Sequence, residues 1–560
     1  MNLIGNINAI PFRRFRGGGG AIPPFPSIPG TIARYSALGL TNEEMSKNPV
    51  WVDKTGNGHD LQMKNFAWGG MSGVNGYVQN FNYFRNNATV DKVRIDEQSS
   101  NSIKVTLLTS GMGHVIYIPK NIYQFNKSYF IKISSEGYNE GDLFLSFYAP
   151  STSTATTVKV PLNPNGITEI PAIKEDDFLA VYLFNAAGKV GSITIEQLPL
   201  YPGALVFDGV DDYGVCDNFP ILTKEKGYTV VALRQWITYN PNAISAIATN
   251  ASDQSFNGAF TFENYNKGAE QTISYGATQI TLQYSKSPFS WQTTSKYNGV
   301  NIANGKKDAT NSLVLGRSYP QRNEFANFAI WELVFLDHDA TEEELTKIKD
   351  YFVKTYPWLF PDQAWTVVGK TNEDEDRATI ANITGNGNDL VLSNFGFAEG
   401  SGYNEEGEYA GYLVTDGVDD EIISAKLIQF ADKFTIVGDW KFMEDRNDNA
   451  GLLKANQIYI YNATTGMRIY LKQGSKNYPF SCKKINALTS DGWVYDEKWD
   501  KYKVYPIGSD IDISSRLFLG FYSSNFTKIA LKNLGIYNDQ LLSKDDCIKA
   551  YNYLQTLKAK

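Results

Sequence analysis

Alternation of polar and apolar residues at every second position predicts β-strands along most of this chain. Residues 102–107, 128–133 and 192–195 follow this rule closely. Longer apolar runs at 227–236 and 328–336 predict long central strands. Tyrosine and phenylalanine, with 34 and 32 copies, suit half-buried strand surfaces, and 47 glycines suit the turns between strands. The pattern therefore predicts an all-β protein.

Two sequence motifs occur twice. The run Asp-Gly-Val-Asp-Asp at 208–212 returns at 416–420, and Thr-Gly-Asn-Gly-x-Asp-Leu at 55–61 returns at 384–390. Asp-Gly and Gly-Asn-Gly are turn formers, since glycine tolerates a positive φ and aspartate can hydrogen-bond its own backbone. The chain therefore contains a duplicated domain with two matching turns in each copy.

The spacing between the two motifs differs between the copies. From Asp60 to Asp208 is 148 residues, whereas from Asp389 to Asp416 is 27. The first copy thus carries about 121 additional residues near 82–201, and these residues have a strand rhythm of their own. They predict a small β-sandwich inserted into a loop of the first copy.

Each copy ends in a helix signal. Thr341 and Glu344 form a capping box, and Ser543 with Asp546 opens the second helix in the same way. These patterns divide the chain into five segments. They are an extended Pro/Gly-rich docking arm at 1–30, a first sandwich at 31–81 plus 202–357, the inserted β-sandwich at 82–201, a linker at 358–376 and a second sandwich at 377–560.

The first 30 residues combine proline and glycine with large apolar side chains. Proline blocks regular structure, while a purely flexible linker would carry few apolar residues. We expect an arm that becomes ordered by docking onto a partner, and a disordered terminus is the alternative. The candidate docking residues are Phe12, Arg13, Arg14, Phe15, Arg16 and Phe25.

The repeated turns, the Leu-Gly strand ends at 315–316 and 519–520, and the closing helices resemble those of laminin-G-like (LamG) domains. These domains belong to the concanavalin A-like lectin and glucanase superfamily. The match is similar in style to LamG-bearing proteins of gut Bacteroidetes and of their tailed phages. The resemblance implies a jelly-roll sandwich of two antiparallel sheets in each copy.

The sequence lacks the Glu-x-Asp-x-(x)-Glu strand with which glucanases of this superfamily place an acid and a nucleophile on one face. We therefore expect no enzymatic activity. Some members of the superfamily bind calcium through loop carboxylates, which makes Asp208, Asp211, Asp416 and Asp419 candidate ligands. The alternative is that these acids only form the turns, and no other cofactor is expected.

A glycan site needs exposed aromatic rings that stack on sugars. Trp493, Tyr495 and Trp499 alternate along one stretch, which could place them on one strand face, and Trp291 is a second candidate. Core packing is the alternative for all four residues.

The net charge of −8 argues against nucleic acid as the main partner, and no apolar run is long enough for a membrane span. The sequence also begins without a secretory signal. We expect a non-enzymatic virion protein of a tailed phage, a head fibre or a tail-associated decoration. Its partners would be other virion proteins bound through residues 1–30, further copies of itself, and host surface polysaccharide. The alternative is a carbohydrate-binding protein of a bacterial cell surface.

Overall fold

The computed structural model describes residues 23–560, apart from 152–155, 223–226, 239–245, 252–260, 263–278, 285–308, 318–322, 386, 406, 408, 444–449, 456–457, 464–465, 472–473, 478–484, 497, 504–512, 523–524 and 560. The chain forms two compact units. Of the described residues, the first takes Ile28–Ser274 with Gln279–Glu342, and the second takes 23–27 with Glu343–Lys560. Both units consist mainly of antiparallel sheets, so the predicted all-β class is confirmed.

The first unit opens with four strands and a short helix. They are β1 Thr31–Ser36, α1 Asn42–Lys47, β2 Val50–Trp51, β3 Leu61–Lys64 and β4 Gly73–Val74. The sequence analysis did not predict α1, although Thr41 caps it by accepting a hydrogen bond from the Glu44 amide and donating to the Glu44 carboxylate. This capping box precedes only six helical residues, too short for a 3.6-residue periodicity to appear.

Ten strands follow, inserted between β4 and the rest of the first sandwich. They are β5 Arg85–Asn86, β6 Val93–Gln98, β7 Ser102–Leu107, β8 His114–Pro119, β9 Tyr129–Ser135, β10 Leu143–Tyr148, β11 Val158–Pro161, β12 Ile167–Ile170, β13 Ala180–Asn185 and β14 Gly191–Gln197. They form two five-stranded sheets, ordered β11-β10-β13-β8-β5 and β12-β9-β14-β7-β6. The apolar residues of both sheets share one core, as in a small β-sandwich.

The chain then completes the first sandwich. The strands are β15 Leu205–Asp208, β16 Tyr213–Cys216, β17 Thr229–Thr238, β18 Ala248–Ala251, β19 Thr261–Phe262, β20 Gln279–Tyr284, β21 Ala309–Leu315 and β22 Asn327–Leu336. One sheet runs β20-β17-β22-β15-β4, with β1 also paired to β22, and the other runs β19-β18-β21-β16-β3-β2. The predicted long strands at 227–236 and 328–336 are β17 and β22, which pair with each other.

The second unit begins with α2 Glu342–Thr355, whose residues from Glu343 onward belong to it, and ends with α3 Lys544–Gln555. Between them lie twenty strands. They are β23 Gln363–Thr366, β24 Thr379–Ile380, β25 Leu390–Ser393, β26 Gly402–Asn404, β27 Tyr412–Val414, β28 Glu421–Ser424, β29 Ile428–Phe430, β30 Phe434–Phe442, β31 Ala450–Ala455, β32 Ile458–Ala463, β33 Gly466–Leu471, β34 Gly474–Asn477, β35 Ile485–Thr489, β36 Trp493–Asp496, β37 Lys501–Lys503, β38 Ile513–Ser515, β39 Phe518–Leu519, β40 Phe521–Tyr522, β41 Asn525–Phe526 and β42 Ile529–Asn538.

The two main sheets of the second unit repeat the arrangement of the first sandwich. One runs β26-β27-β42-β30-β35-β36-β37, with β23 also paired to β42, and the other runs β24-β25-β28-β39-β31-β32-β33-β34. Central β42 is flanked by β27 and β30, as β22 is flanked by β15 and β17. Both predicted closing helices form, and Ser543 caps α3. The predicted domain boundaries stay predictions.

Two glutamines join the inserted sandwich to its host. The Gln79 backbone amide donates to the Gln197 side-chain oxygen at 2.9 Å, and the Gln197 side-chain amide donates to the Gln79 carbonyl at 3.0 Å. Both side chains are buried, where an unpaired amide would be costly. This reciprocal pair fixes where the chain enters and leaves the insert. Among the described helices, none is long and apolar enough to span a membrane.

Candidate functional site

The acidic turn at 208–212 is held by its own carboxylates. Asp208 Oδ1 accepts from the amides of Val210 at 2.7 Å and Asp211 at 3.4 Å. Asp212 Oδ2 accepts from the Asp208 amide at 3.0 Å, and Asp212 Oδ1 accepts from the Ser72 hydroxyl at 2.9 Å. These bonds use three carboxylate oxygens to satisfy the tight turn between β15 and β16.

The second copy repeats this network. Asp416 Oδ1 accepts from the amides of Val418 and Asp419 at 2.7 and 3.3 Å. Asp420 accepts from the Asp416 amide at 2.7 Å and from the Ser401 hydroxyl at 3.0 Å. Both acidic runs therefore form turns held by their own carboxylates, because the same atoms make the same bonds in the two copies.

An asparagine with a left-handed backbone supports each turn. Asn65 and Asn394 both have a φ of 68°, and their side-chain amides donate to the carbonyls of Asp211 at 3.0 Å and Asp419 at 2.9 Å. Asparagine tolerates this conformation better than other non-glycine residues. Both asparagines stand five residues after the aspartate of the Thr-Gly-Asn-Gly-x-Asp-Leu motif, so each motif is followed by a residue that holds the acidic turn.

Each turn also gathers three carboxylates whose oxygens lie within 4.8 Å of one another. The structure adds the buried Asp212 and Asp420 to the four candidate ligands of the sequence. Burial, together with the neighbouring Asp208 carboxylate, raises the pKa of Asp212 to about 8, and burial raises that of Asp420 to about 6. Carboxylate oxygens are suitable calcium ligands. Calcium binding at the turns stays a prediction.

The aromatic candidates of the second sandwich do not form one exposed face. Tyr495 and Trp499 are each 2% exposed. Trp499 lies beyond β36 in a turn with a φ of 61°, and its ring packs edge-on against Tyr551 at 5.6 Å between centroids. Trp493 is half-buried, with the Lys501 ammonium 3.5 Å from its ring centroid. The expected placement of all three on one strand face is wrong, since a turn removes Trp499 from the strand.

The other candidates fall largely outside the described residues. Trp291 and the arm residues Phe12, Arg13, Arg14, Phe15 and Arg16 belong to this group. Phe25 is described, and its ring packs edge-on against Tyr351 of α2 at 5.1 Å. This contact lies within the second unit. Docking of residues 1–30 onto a partner stays a prediction.

A different group of rings lies together on the inserted sandwich. Strands β8, β10 and β13 are adjacent in one sheet, and the side chains that alternate with their core residues are mostly aromatic and half-buried. We call this group the aromatic face, and it comprises His114, Tyr117, Phe144, Tyr148, Tyr182 and Phe184.

The rings of the aromatic face form a continuous set of contacts. His114 is central, with its centroid 4.6 Å from that of Tyr182, 5.1 Å from that of Phe184 and 5.5 Å from that of Tyr148. Tyr117 adds a contact with Tyr182 at 5.6 Å. These separations lie in the range that aromatic pairs favour, so the rings support one another as a surface.

A cation and a hydroxyl accompany the rings. The Lys159 ammonium of β11 lies 4.2 Å from the Phe184 centroid, within cation–π range. Burial and this lysine lower the pKa of His114 below its usual value, so the imidazole is neutral near pH 7. Beside Lys159 in the sheet, Ser146 has a buried hydroxyl without a hydrogen-bond partner among the described residues.

The aromatic face was not predicted from the sequence. Alternation shows that Phe144 and Tyr148 share a side, and that Tyr182 and Phe184 share a side. Their partners across the strands depend on register, which the sequence does not give. A usable signal was the aromatic residues that occupy the polar positions of these alternating strands.

Comparison with known proteins gives structural similarity only. No family model matches the chain, and no curated protein matches it. Among solved structures, a Trypanosoma rangeli sialidase bound to sialic acid is 9% identical with a TM-score of 0.25, covering 81% of this chain and 82% of its own. A tandem CBM22 domain of Paenibacillus barcinonensis is 9% identical with a TM-score of 0.16, over 49% and 99% of the two chains.

The binding domain of botulinum neurotoxin serotype D is 11% identical with a TM-score of 0.21, over 62% of this chain and 89% of that domain. Scores this low carry no argument about function. The specific resemblance to LamG domains, like the link to phage proteins, stays a prediction. What is established is an all-β chain whose two sandwiches repeat one set of turn contacts.

Proposed function

We propose that this protein binds glycans through the aromatic face of its inserted sandwich. The observation that carries the proposal is the clustering of six half-buried rings on one side of one sheet. Pyranose rings have apolar C–H faces that pack against aromatic rings, and their hydroxyls need polar partners. The aromatic face offers ring surfaces for the C–H faces, and the hydroxyls of Tyr117, Tyr148 and Tyr182 are polar partners for the sugar hydroxyls.

The face is well supported for binding. Its strands stand on a buried core that includes Val115, Leu145 and Leu183, so the rings are mounted on a rigid sheet. The contacts among neighbouring rings restrict their rotation before a ligand arrives. A preorganised surface loses less conformational entropy on binding.

A second part of the proposal concerns where the protein is located. We propose that it is a non-enzymatic virion protein, anchored through residues 1–30, whose aromatic face contacts host polysaccharide. The Pro/Gly-rich, apolar composition of residues 1–30 supports an anchor. Deletion of residues 1–22, which leaves the Phe25 contact with Tyr351 in place, should abolish incorporation into the particle while thermal unfolding stays unchanged. A bacterial cell-surface glycan-binding protein is the alternative.

Binding can be measured by affinity electrophoresis in gels that contain surface polysaccharides. We expect the wild-type protein to be retarded and Tyr182→Ala to lose about tenfold in affinity, through lost ring contact. Tyr182→Phe keeps the ring and should retain most of the affinity. Tyr117→Ala is a second test in case Tyr182→Ala does not fold.

Failure of the wild-type protein to bind any polysaccharide would overturn the proposal. The same holds if Tyr182→Ala and Tyr117→Ala both bind as well as the wild type. Sedimentation velocity on the same variants addresses the predicted homo-oligomer. An oligomer that dissociates in Tyr182→Ala, without any glycan binding, would assign the face to self-association instead.

A further inference from the structure

One sheet of the inserted sandwich has no acidic side chain in its strands. The five strands of the sheet that carries the aromatic face contain Arg85 and Lys159 but no Asp or Glu. The strands of the opposite sheet carry charges of both signs, namely Asp96, Glu97, Glu169 and Glu196 with Arg94, Lys104 and Lys132. The chain as a whole has a net charge of −8, so a sheet without acids departs from its surroundings.

The two cations lie at opposite ends of one row of lateral neighbours. Going across the sheet, Lys159 pairs with Ser146, Ser146 with Tyr182, Tyr182 with Tyr117, and Tyr117 with Arg85. Four steps between strands span about 19 Å at the usual strand spacing. A short oligosaccharide laid across the row would therefore meet a positive charge at each end and tyrosine rings between them.

Both cations are available to a ligand. Lys159 and Arg85 are exposed, and neither forms an ion pair with a carboxylate among the described residues. Lys159 lies over the face itself, held against the Phe184 ring. In the loops at the ends of this sheet, Asp142 pairs with Lys189 and Glu175 with Lys120. Glu140, Asp176 and Asp177 lie in the same loops, outside the strands that carry the rings.

We infer that the ligand of the aromatic face is an acidic polysaccharide, one whose pyranose rings carry carboxylate or sulfate groups. This inference rests on the proposed glycan-binding function and adds the chemical class. The pyranose rings of the ligand stack on the tyrosine side chains of the row, and its acidic groups pair with Lys159 and Arg85. A cation at each end of the row contributes more to the affinity for an anionic ligand than for a neutral one, since an anionic acceptor adds charge attraction to the hydrogen bond.

The test compares polymers that differ in charge alone. Polygalacturonate and its methyl ester share one sugar backbone, as do dextran sulfate and dextran. Isothermal titration at low salt should give at least tenfold tighter binding of the wild-type protein to a charged polymer than to its neutral partner. The two pairs distinguish carboxylate from sulfate recognition.

Substitution of the two cations tests whether they cause the preference for charged polymers. Arg85→Gln combined with Lys159→Gln should reduce the affinity for the charged polymer about tenfold and weaken its salt dependence. Lys132→Gln, which removes an exposed lysine from the opposite sheet, is the matched control and should behave as wild type.

The outcomes separate the two proposals. Equal binding of charged and neutral polymers, with loss in Tyr182→Ala, would overturn the acidic class and leave glycan binding intact. Unchanged affinity of the double charge variant for the charged polymer would also overturn it. Absence of binding to all four polymers and to surface polysaccharides would overturn the glycan proposal itself. Tighter binding of a single-stranded oligonucleotide than of any polysaccharide would overturn both.

Discussion

The Ser72 hydroxyl donates to Asp212 across 140 residues of sequence, at 2.9 Å, in a buried site. In the second sandwich the corresponding bond, from Ser401 to Asp420, spans only 19 residues. The difference is the inserted sandwich, which leaves the host after Ser72 and returns before Asp212. The bond between Ser72 and Asp212 therefore joins the two parts of the first sandwich that the inserted residues separate. The first sandwich keeps the same turn contact as the second, which lacks the insertion.

Replacement of Ser72 by alanine should destabilise the first unit. The variant leaves Asp212 Oδ1 buried without this donor and removes the acceptor of the Ala67 amide, at a cost of about 2 kcal/mol. Urea unfolding measures the change. Ser46→Ala, on the exposed face of α1, is the control and should shift the free energy of unfolding by less than about 0.5 kcal/mol. Equal shifts would contradict the assigned role.

Calcium binding at the acidic turns has a direct thermal test. Asp208→Asn retains a side-chain oxygen for the amides of Val210 and Asp211 but removes one negative charge. We expect calcium to raise the melting temperature of the wild-type protein by a few degrees, and to raise that of Asp208→Asn less. In chelator the two proteins should melt together. If calcium shifts neither protein, the turns are purely structural.

Replacement of Gly209 by alanine should cost stability for two reasons, the left-handed backbone conformation and the lack of space for a Cβ atom. Comparison with Gly56 separates the two costs. Gly209 and Gly56 both have left-handed φ values, 76° and 81°. A Cβ at Gly209 would lie 2.7 Å from Asn327 Cβ, whereas one at Gly56 would meet nothing within 4 Å. Gly56→Ala should cost about 1 kcal/mol, for the conformation alone. Gly209→Ala should cost at least about 1 kcal/mol more, measured by chemical unfolding, and equal costs would show that β22 moves freely.

The sequence predicted that this part of the fold is duplicated. Asn65 matches Asn394, and Ser72 matches Ser401, at the same distances from the repeated Thr-Gly-Asn-Gly-x-Asp-Leu motif, and the structure shows that each pair makes matching bonds. Motifs of this kind are informative because a tight turn leaves few choices of residue and conformation. The Asp-Gly pairs at 208–209 and 416–417 accordingly form the predicted turns.

The aromatic face could not be predicted in the same way. It depends on the register of strands far apart in sequence, such as β8 with β13, where a bulge between Tyr182 and Phe184 shifts the pairing. Alternation assigns Tyr182 to a side but does not say whether that side meets water or a second sheet. For the same reason Tyr495, which looked like an exposed ring, is buried.

The pH dependence of stability should reveal Asp362, at the start of the second unit. Asp362 is half-buried, and its carboxylate accepts from the Asn538 amide at 2.6 Å. Burial raises its pKa to about 7, aided by the charge of Asp539 and opposed by this hydrogen bond. Since this pKa exceeds that of an unfolded aspartate, the folded state binds the extra proton between pH 4 and 7.

The contribution of Asp362 to stability is therefore fully present below about pH 4 and is lost as the pH rises through about 7. Asp362→Asn has no proton to lose and keeps an acceptor for Asn538. The wild-type protein should lose about 1–2 kcal/mol more than the variant between pH 5 and pH 8. Because Asp212 and Asp420 titrate in both proteins, the difference between their urea-unfolding curves isolates Asp362. Parallel curves over this range would show that the Asp362 carboxylate is already charged at pH 5.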